Sequence, residues 1–287
     1  MDNIKYSIII PHHNTPDLLT RCLDTIPDIE QIQVIVVDDN SDSTKVDFDA
    51  MQKHGRKYTQ VVLTKEGKGA GYARNVGLGL AKGKWLVFAD SDDFFVDDFV
   101  ASLDEHYQSE SDMILFKAKS VDSETLEPAH RDENINNCID KVLMGSLTPL
   151  QASLHVHSPW CRMVRHELVT ANMIKFDEVL SSNDTMFTTK CGCLAKSIAV
   201  SSDYLYVCTY RKGSLWDARK SNPENHLCRL KVDIDRNNYV RQFGLPQEPV
   251  QGYVIKAMSI SFKTFLRALG IVLSRGALFQ GIGKYFK

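Results

Sequence analysis

The sequence predicts an α/β protein with a mostly parallel central sheet flanked by helices, a Rossmann-like first half and a C-terminal helical extension. Two observations lead there. Short, wholly apolar strands alternate with helix signals over the first hundred residues, and strands apolar on both faces belong to a parallel sheet covered on both sides. The polar residues His12-His13-Asn14, Asp38-Asp39-Asn40 and Asp90 to Asp93 each follow such a strand. In open α/β sheets, ligands sit outside the carboxyl ends of the strands.

Tyr6 to Ile10 reads as the first strand, closed by Pro11. Thr15 and Pro16 then open a helix as N-cap and first helical residue. Leu19, Cys22, Leu23 and Ile26 keep its apolar stripe. Val34 to Val37 is the second strand and ends at Asp38-Asp39. Val61 to Leu63 is the third, followed by a glycine-rich turn and a helix from Ala70 to Ala81, with Gly83 just past its end. Trp85 to Ala89 is the fourth. From 101 to 215 the pattern is less regular. It gives a strand over Met113 to Ala118, a polar loop over 121–137, helices near 148–155 and 183–195, and strands near 197–200 and 204–210. Helices run from about residue 224 onward.

The chain has 287 residues, 43% hydrophobic and 24% charged, with a net charge of −2. That is ordinary globular material, with no bulk basicity to recruit nucleic acid. Ser7 to Ile10 reads as a core strand rather than a signal peptide. No apolar run approaches the roughly 18 residues that span a bilayer. Seven scattered cysteines, an odd number, suit reduced thiols in a cytoplasmic protein. Cys191-Gly192-Cys193 lacks a second close pair with zinc spacing, so buried small residues are the better account.

Three aspartates within four residues at the end of a buried strand repel one another and are costly to desolvate. Asp90 and Asp92, two residues apart, project to one side, and their hard oxygens suit Mn²⁺ or Mg²⁺. The alternative is a solvated acidic loop, or an N-cap run for a helix starting at Asp97 or Asp98. In Asp38-Asp39-Asn40-Ser41, one aspartate is expected to serve an Asx turn and Asp39 to meet a base or ribose. Gly67-Lys68-Gly69-Ala70-Gly71 is similar to a dinucleotide fingerprint, but its sixth residue is Tyr72. The run Val36-Val37-Asp38-Asp39-Asn40 also resembles the start of a phospho-receiver domain, although the chain holds no Lys-Pro dipeptide. A non-catalytic nucleotide-binding or receiver-type module is therefore the rival reading.

Taken together, "SIIIPHHNTPDLLTRCLDTI", "IVVDDNSDS", "GKGAGYARNVGLGLAKGKWLVFADSDD" and "LSSNDTMF" resemble the family 2 glycosyltransferases of GT-A fold over residues 5 to 215. The resemblance implies a metal-dependent, inverting transferase that takes a sugar from a nucleotide-diphosphate sugar, most often a UDP-sugar. By position, Pro11 and Asn14 line the nucleotide pocket, Asp39 meets the base and Arg74 lies near the nucleotide. Asp90, Ser91 and Asp92 form the Asp-X-Asp motif, Asp90 toward ribose and metal and Asp92 on the metal. The family's base is the Asp of a Glu-Asp pair before a helix. Here the pair reads Asn183-Asp184, so Asp184 takes that role and position 183 departs from the pattern. Helix capping is the alternative for Asp184.

Trp160 resembles the family's acceptor-side Trp and is equally readable as core. His155 and His157 are better read as structural. Arg211-Lys212-Gly213-Ser214 resembles a mobile loop on the diphosphate side, with solvated charge as the alternative. The expected division is a catalytic domain over 1–215, with a nucleotide-sugar-binding half to residue 100 and an acceptor half after it, and an extension over 216–287. From Lys256 onward there are six basic residues and no acidic one, with an apolar stripe through Phe262, Phe265, Leu266, Leu269, Val272 and Leu273. That tail is read either as a peripheral membrane anchor or as a helix docked on the domain. The acceptor is expected to be a saccharide or a lipid-linked saccharide.

Overall fold

The computed structural model describes residues 3–53, 55–211 and 222–286. Its parallel half contains β1 (Tyr6–His12), β2 (Ile32–Asp39), β3 (Thr59–Thr64) and β4 (Trp85–Phe88). The second half contains β5 (Phe94–Phe95), β6 (Met113–Asp122), β7 (Arg162–Arg165) and β8 (Ile198–Tyr210). All belong to one sheet in the order β3-β2-β1-β4-β7-β6-β8-β5. β7 runs antiparallel to both β4 and β6, and β5 antiparallel to β8, whereas β6 and β8 are parallel.

The apolar runs form strands because both faces are covered. Ile8, Ile9, Ile10, Val36, Val37 and Trp85 to Phe88 are all fully buried, each large side chain contributing about 1.5–3 kcal/mol. β1 does not stop before Pro11, as the sequence suggested. Ile9 accepts from the Ala89 N–H on the β4 side, so Pro11 faces that same side, where β4 has ended and no donor is needed.

α1 (Pro16–Asp24), α2 (Phe48–Gln52) and α3 (Ala70–Leu80) lie in the first half, and α4 (Phe99–Glu105) follows with Asp98 as its N-cap. Thr15 is the α1 N-cap, but its side chain makes no capping bond. The polar loop expected over 121–137 is shorter: β6 continues to Asp122, and α5 (Glu133–Leu143) buries Ile135, Cys138 and Ile139. Next come α6 (Pro149–His155), α7 (His166–Ala171) and α8 (Thr185–Leu194). The two strands expected near 197–210 are one, with register shifts against β6 between Leu115 and Ala118.

α9 (Pro223–Arg241), α10 (Gln251–Ile260) and α11 (Phe262–Ser274) share a small core of their own around Leu227, Leu230, Ile234, Val250, Ala257, Ala268 and Val272. α9 also packs against α8. All seven cysteines are free, and five of them are buried. No helix among the described residues is long and apolar enough to cross a membrane.

Candidate active site

A cavity of about 650 Å³ opens at the carboxyl ends of β1, β2 and β4 and is closed by α3, the loop before α8, and α9. Pro11, Asp39, Arg74, Asp90, Ser91, Asp92, Trp160, Asp184 and Arg211 all line it. Asn14 does not. Its left-handed backbone (φ 58) turns its side chain to accept from the Asp42 N–H at 2.7 Å, and its amide nitrogen lies 2.8 Å from His13 Nε2. His13, which does line the cavity, spends its other ring nitrogen on the Asp39 carbonyl at 3.0 Å. Asn14 therefore orients a lining residue instead of being one.

The two aspartates ending β2 divide their work. Asp38 accepts from His12 Nδ1 at 2.7 Å and from the Ser41 N–H at 3.0 Å and hydroxyl at 2.5 Å. Burial opposes its charge, but the His12 and Ser41 bonds outweigh it and hold the carboxyl below its ordinary value. His12 Nε2 accepts from the Thr15 N–H at 3.2 Å, which fixes the neutral tautomer. Asp38 is thus the turn residue. Asp39 receives the N–H groups of Gly67 (3.1 Å) and Gly69 (2.5 Å) and the Thr64 hydroxyl (2.9 Å). Both glycines sit at positive φ, 62° and 89°, which an L side chain rarely adopts. This glycine loop binds a carboxylate of its own chain, which explains a fingerprint-like stretch that is not one.

The turn after β4 carries the acidic cluster. Carboxylate oxygens of Asp90, Asp92 and Asp93 all lie within 4.8 Å of one another. Asp90 is paired with Arg74 at 2.5 Å, and Asp92 lies 3.8 Å from Arg211. Ser91 Oγ is 3.3 Å from the Thr15 hydroxyl. Burial, and then the charge of Asp90, push the Asp92 carboxyl up, with Arg211 and Arg131 pulling it back. Asp93 is pushed up much further by burial and by Asp92 and Asp90. Its Oδ1 takes the Thr209 N–H at 2.7 Å, and its Oδ2 is buried without a partner. Asp90 and Asp92 are half-exposed to the cavity and Asp93 faces inward. Two hard oxygen ligands at a repulsive spacing fit a divalent cation. Among the described residues no other grouping of three acidic, His or Cys side chains does so, Cys191 and Cys193 included.

Asp184 stands at the N-cap of α8 yet makes no side-chain capping bond. Burial raises its carboxyl above the ordinary value, while Arg74 and Arg162 pull against that rise. Arg74 forks between Asp90 and the Asn183 Oδ1, the latter at 2.8 Å. The neutral amide at 183 leaves the guanidinium charge to Asp90, which a glutamate there would contest. Trp160 is both wall and core, 4% exposed and stacked on Tyr206 at 4.8 Å. His157 touches the cavity, but burial lowers its pKa to about 3 and its Nε2 is spent on the Leu154 carbonyl at 2.9 Å. His155 lies outside the lining, 3.9 Å from Glu248. Lys212 to Ser214, the remainder of the expected loop, fall outside the described residues. Arg131 and Arg229 also line the cavity. No motif marks either one, and Arg229 comes from the helical extension.

The sequence profile of the family described as "Glycosyl transferase family 2" matches residues 7–170. A poly(ribitol-phosphate) beta-glucosyltransferase of Bacillus spizizenii is 28% identical over 235 residues, 77% of this chain and 35% of that protein. The chain thus spans about a third of the length of that curated relative. Residues 1–349 of Staphylococcus aureus TarS, in complex with UDP-GlcNAc, match with a TM-score of 0.67 at 21% identity, covering 95% of this chain and 81% of that one. A mannosyltransferase, PcManGT from Pyrobaculum calidifontis, in complex with GDP-Man and Mn²⁺, matches at 0.56 with 15% identity over 98% of this chain and 80% of that one. These structures share the expected GT-A fold.

Proposed function

The chain belongs to glycosyl transferase family 2, and from that premise we propose that it transfers a sugar from a nucleotide-diphosphate sugar, a UDP-sugar first, to a hydroxyl of a saccharide or lipid-linked saccharide, with inversion. The observation that carries this reading is Arg74, whose fork joins the carboxylate turn of the donor side to the loop of Asp184. Asp39 stands at the base end of the cavity and Asp90 and Asp92 at the diphosphate end. Asp90 and Asp92 would hold a divalent ion, Mn²⁺ or Mg²⁺, which when bound would supply positive charge on the diphosphate side. Arg211 and Arg131, on the same side, add fixed charge there. The acceptor oxygen bonds to the anomeric carbon as the carbon–phosphate oxygen bond breaks, and the acceptor proton passes to Asp184. A carboxylate held above its usual pKa is a better base for that step.

Relatives acting on poly(ribitol-phosphate) make a polyol phosphate one acceptor to screen. The test of the donor half is calorimetric titration of the full chain with UDP, in Mn²⁺ and then in EDTA. Binding in Mn²⁺ that EDTA abolishes is expected. If neither UDP nor GDP, CDP or TDP binds in Mn²⁺, the reading falls.

We also propose peripheral membrane contact through the extension. Three of the tail's six basic residues are paired internally, Arg267 with Glu224 and Arg275 with Asp235 (2.5 and 2.8 Å), and Lys284 with Glu248. The apolar stripe is divided: Val272 is buried and Phe265 packs against the extension's core, while Phe262, Leu266 and Leu273 stay exposed. Ile255 and Met258 on α10 are exposed as well. Truncating at 256 would strip the cover from Leu227, Leu230 and Ile234, so point variants are the cleaner probe. Phe262→Asp with Leu266→Asp should lower co-sedimentation with anionic vesicles several-fold. Equal sedimentation of variant and parent would dispose of the idea.

A further inference from the structure

The carboxylate turn is held from beneath by a strand of the acceptor half. Tyr206, in the middle of β8, is fully buried, and its hydroxyl accepts the Asp90 N–H at 2.8 Å. Its ring is fixed on two sides, stacked on Trp160 at 4.8 Å and edge-on to Phe95 at 5.3 Å. Three residues on, the Thr209 N–H donates to Asp93 Oδ1 at 2.7 Å. The Thr209 hydroxyl lies 2.9 Å from the Asp92 carbonyl and 3.0 Å from Asp93 Oδ1, sharing one proton between them. Each of the three aspartates is therefore tied to β8. Arg21 adds a bond to the Asp92 carbonyl at 2.8 Å from α1.

We propose that Tyr206 and Thr209 are positioning residues that fix the backbone of the carboxylate turn, so that Asp90 and Asp92 are presented to a divalent cation at a spacing their mutual repulsion would otherwise relax. This rests on the reading of Asp90 and Asp92 as cation ligands. Like charges held within 4.8 Å spread apart when free to do so, and a ligand must then pull them back at the expense of its own affinity. Folding has already met that cost here, because the turn's backbone hydrogen bonds are made by a rigid strand whether or not an ion is bound. Neither residue presents a side chain to the ion, so the effect is indirect. Through the Trp160–Tyr206 stack, the acceptor wall and the donor turn form one assembly.

The test is direct Mn²⁺ binding to the full chain, with free Mn²⁺ read by electron paramagnetic resonance and no donor present. Tyr206→Phe deletes the bond to the Asp90 N–H and Thr209→Val the hydroxyl bond shared by the Asp92 carbonyl and Asp93, both while keeping shape. Each should weaken Mn²⁺ binding about three- to tenfold. Thr209→Ser keeps the hydroxyl and should restore parental affinity, which a purely packing role would not produce. Asp92→Asn serves as the reference. If Asp92→Asn leaves Mn²⁺ binding untouched, the ligand reading itself fails. If Asp92→Asn weakens it while Tyr206→Phe and Thr209→Val both match the parent, the positioning role is overturned. Should Tyr206→Phe lose its near-ultraviolet dichroism, the Thr209 pair decides alone.

Discussion

Asp184→Asn is expected to lower kcat by about a hundred- to ten-thousandfold, the range lost when a general base is removed, with donor affinity unchanged. The side chain caps nothing, so the loss cannot be ascribed to a frayed helix. The sign of the pH effects supports a second measurement. Burial holds the Asp184 carboxyl above its ordinary value, and only its charged form takes a proton. The acid limb of kcat/KM should therefore lie above about pH 4, the usual carboxylate range, with activity disappearing as pH falls through that limb. In Asp184→Asn the limb should vanish from the residual rate. A raised carboxyl binds its proton more tightly in the folded chain than in the unfolded one, so it costs stability as pH rises through the same window. The amide removes that cost, and the variant's melting temperature at pH 7 should hold or rise. A lower melting temperature together with weak donor binding would point to a structural role instead.

The first hundred residues were legible because each strand there is a wholly apolar run ended by polar residues, and the parallel pairing of β1 to β4 follows from it. Asp39, Asp90 and Asp92 were singled out for the same reason, since charge at the end of a buried strand is costly unless used, and Asp184 by the family resemblance alone; all four line one cavity. What the sequence hid is of three kinds. α5 was missed although Ile135, Cys138 and Ile139 are spaced for a helix, because the polar residues around them read as loop. Asn14 was placed by motif position, but its left-handed backbone sends the amide toward Asp42. Arg131 and Arg229 reach the cavity only through the packing of distant segments, which leaves no local pattern. Position 183 belongs with these, since the neutral residue makes sense only once Arg74 is seen between it and Asp90.

On the proposed reading Arg74 joins the donor-side carboxylate turn to the loop of Asp184, so its replacement should damage both. The guanidinium is 5% exposed, packs over Phe176 at 5.3 Å, and splits its two ends between Asp90 and Asn183. Arg74→Met keeps the apolar stem and removes the charge. Losing one partner of a largely buried pair costs up to about 3–5 kcal/mol, less here because the Asp90 side chain is 30% exposed. A fall in kcat/KM of about a hundredfold or more is expected. Arg74 is also the foremost influence lowering the Asp184 carboxyl against its burial, so its loss should raise that carboxyl further and move the acid limb to higher pH. Arg74→Lys separates the two effects. A lysine restores the positive charge near Asp184 and should return the limb toward its parental position. Its single ammonium cannot hold Asp90 and Asn183 in one planar fork, so donor KM should stay raised. If the limb stays put in Arg74→Met, Arg74 does not tune Asp184. If Lys repairs both quantities equally, charge alone explains the residue and the fork has no part in it.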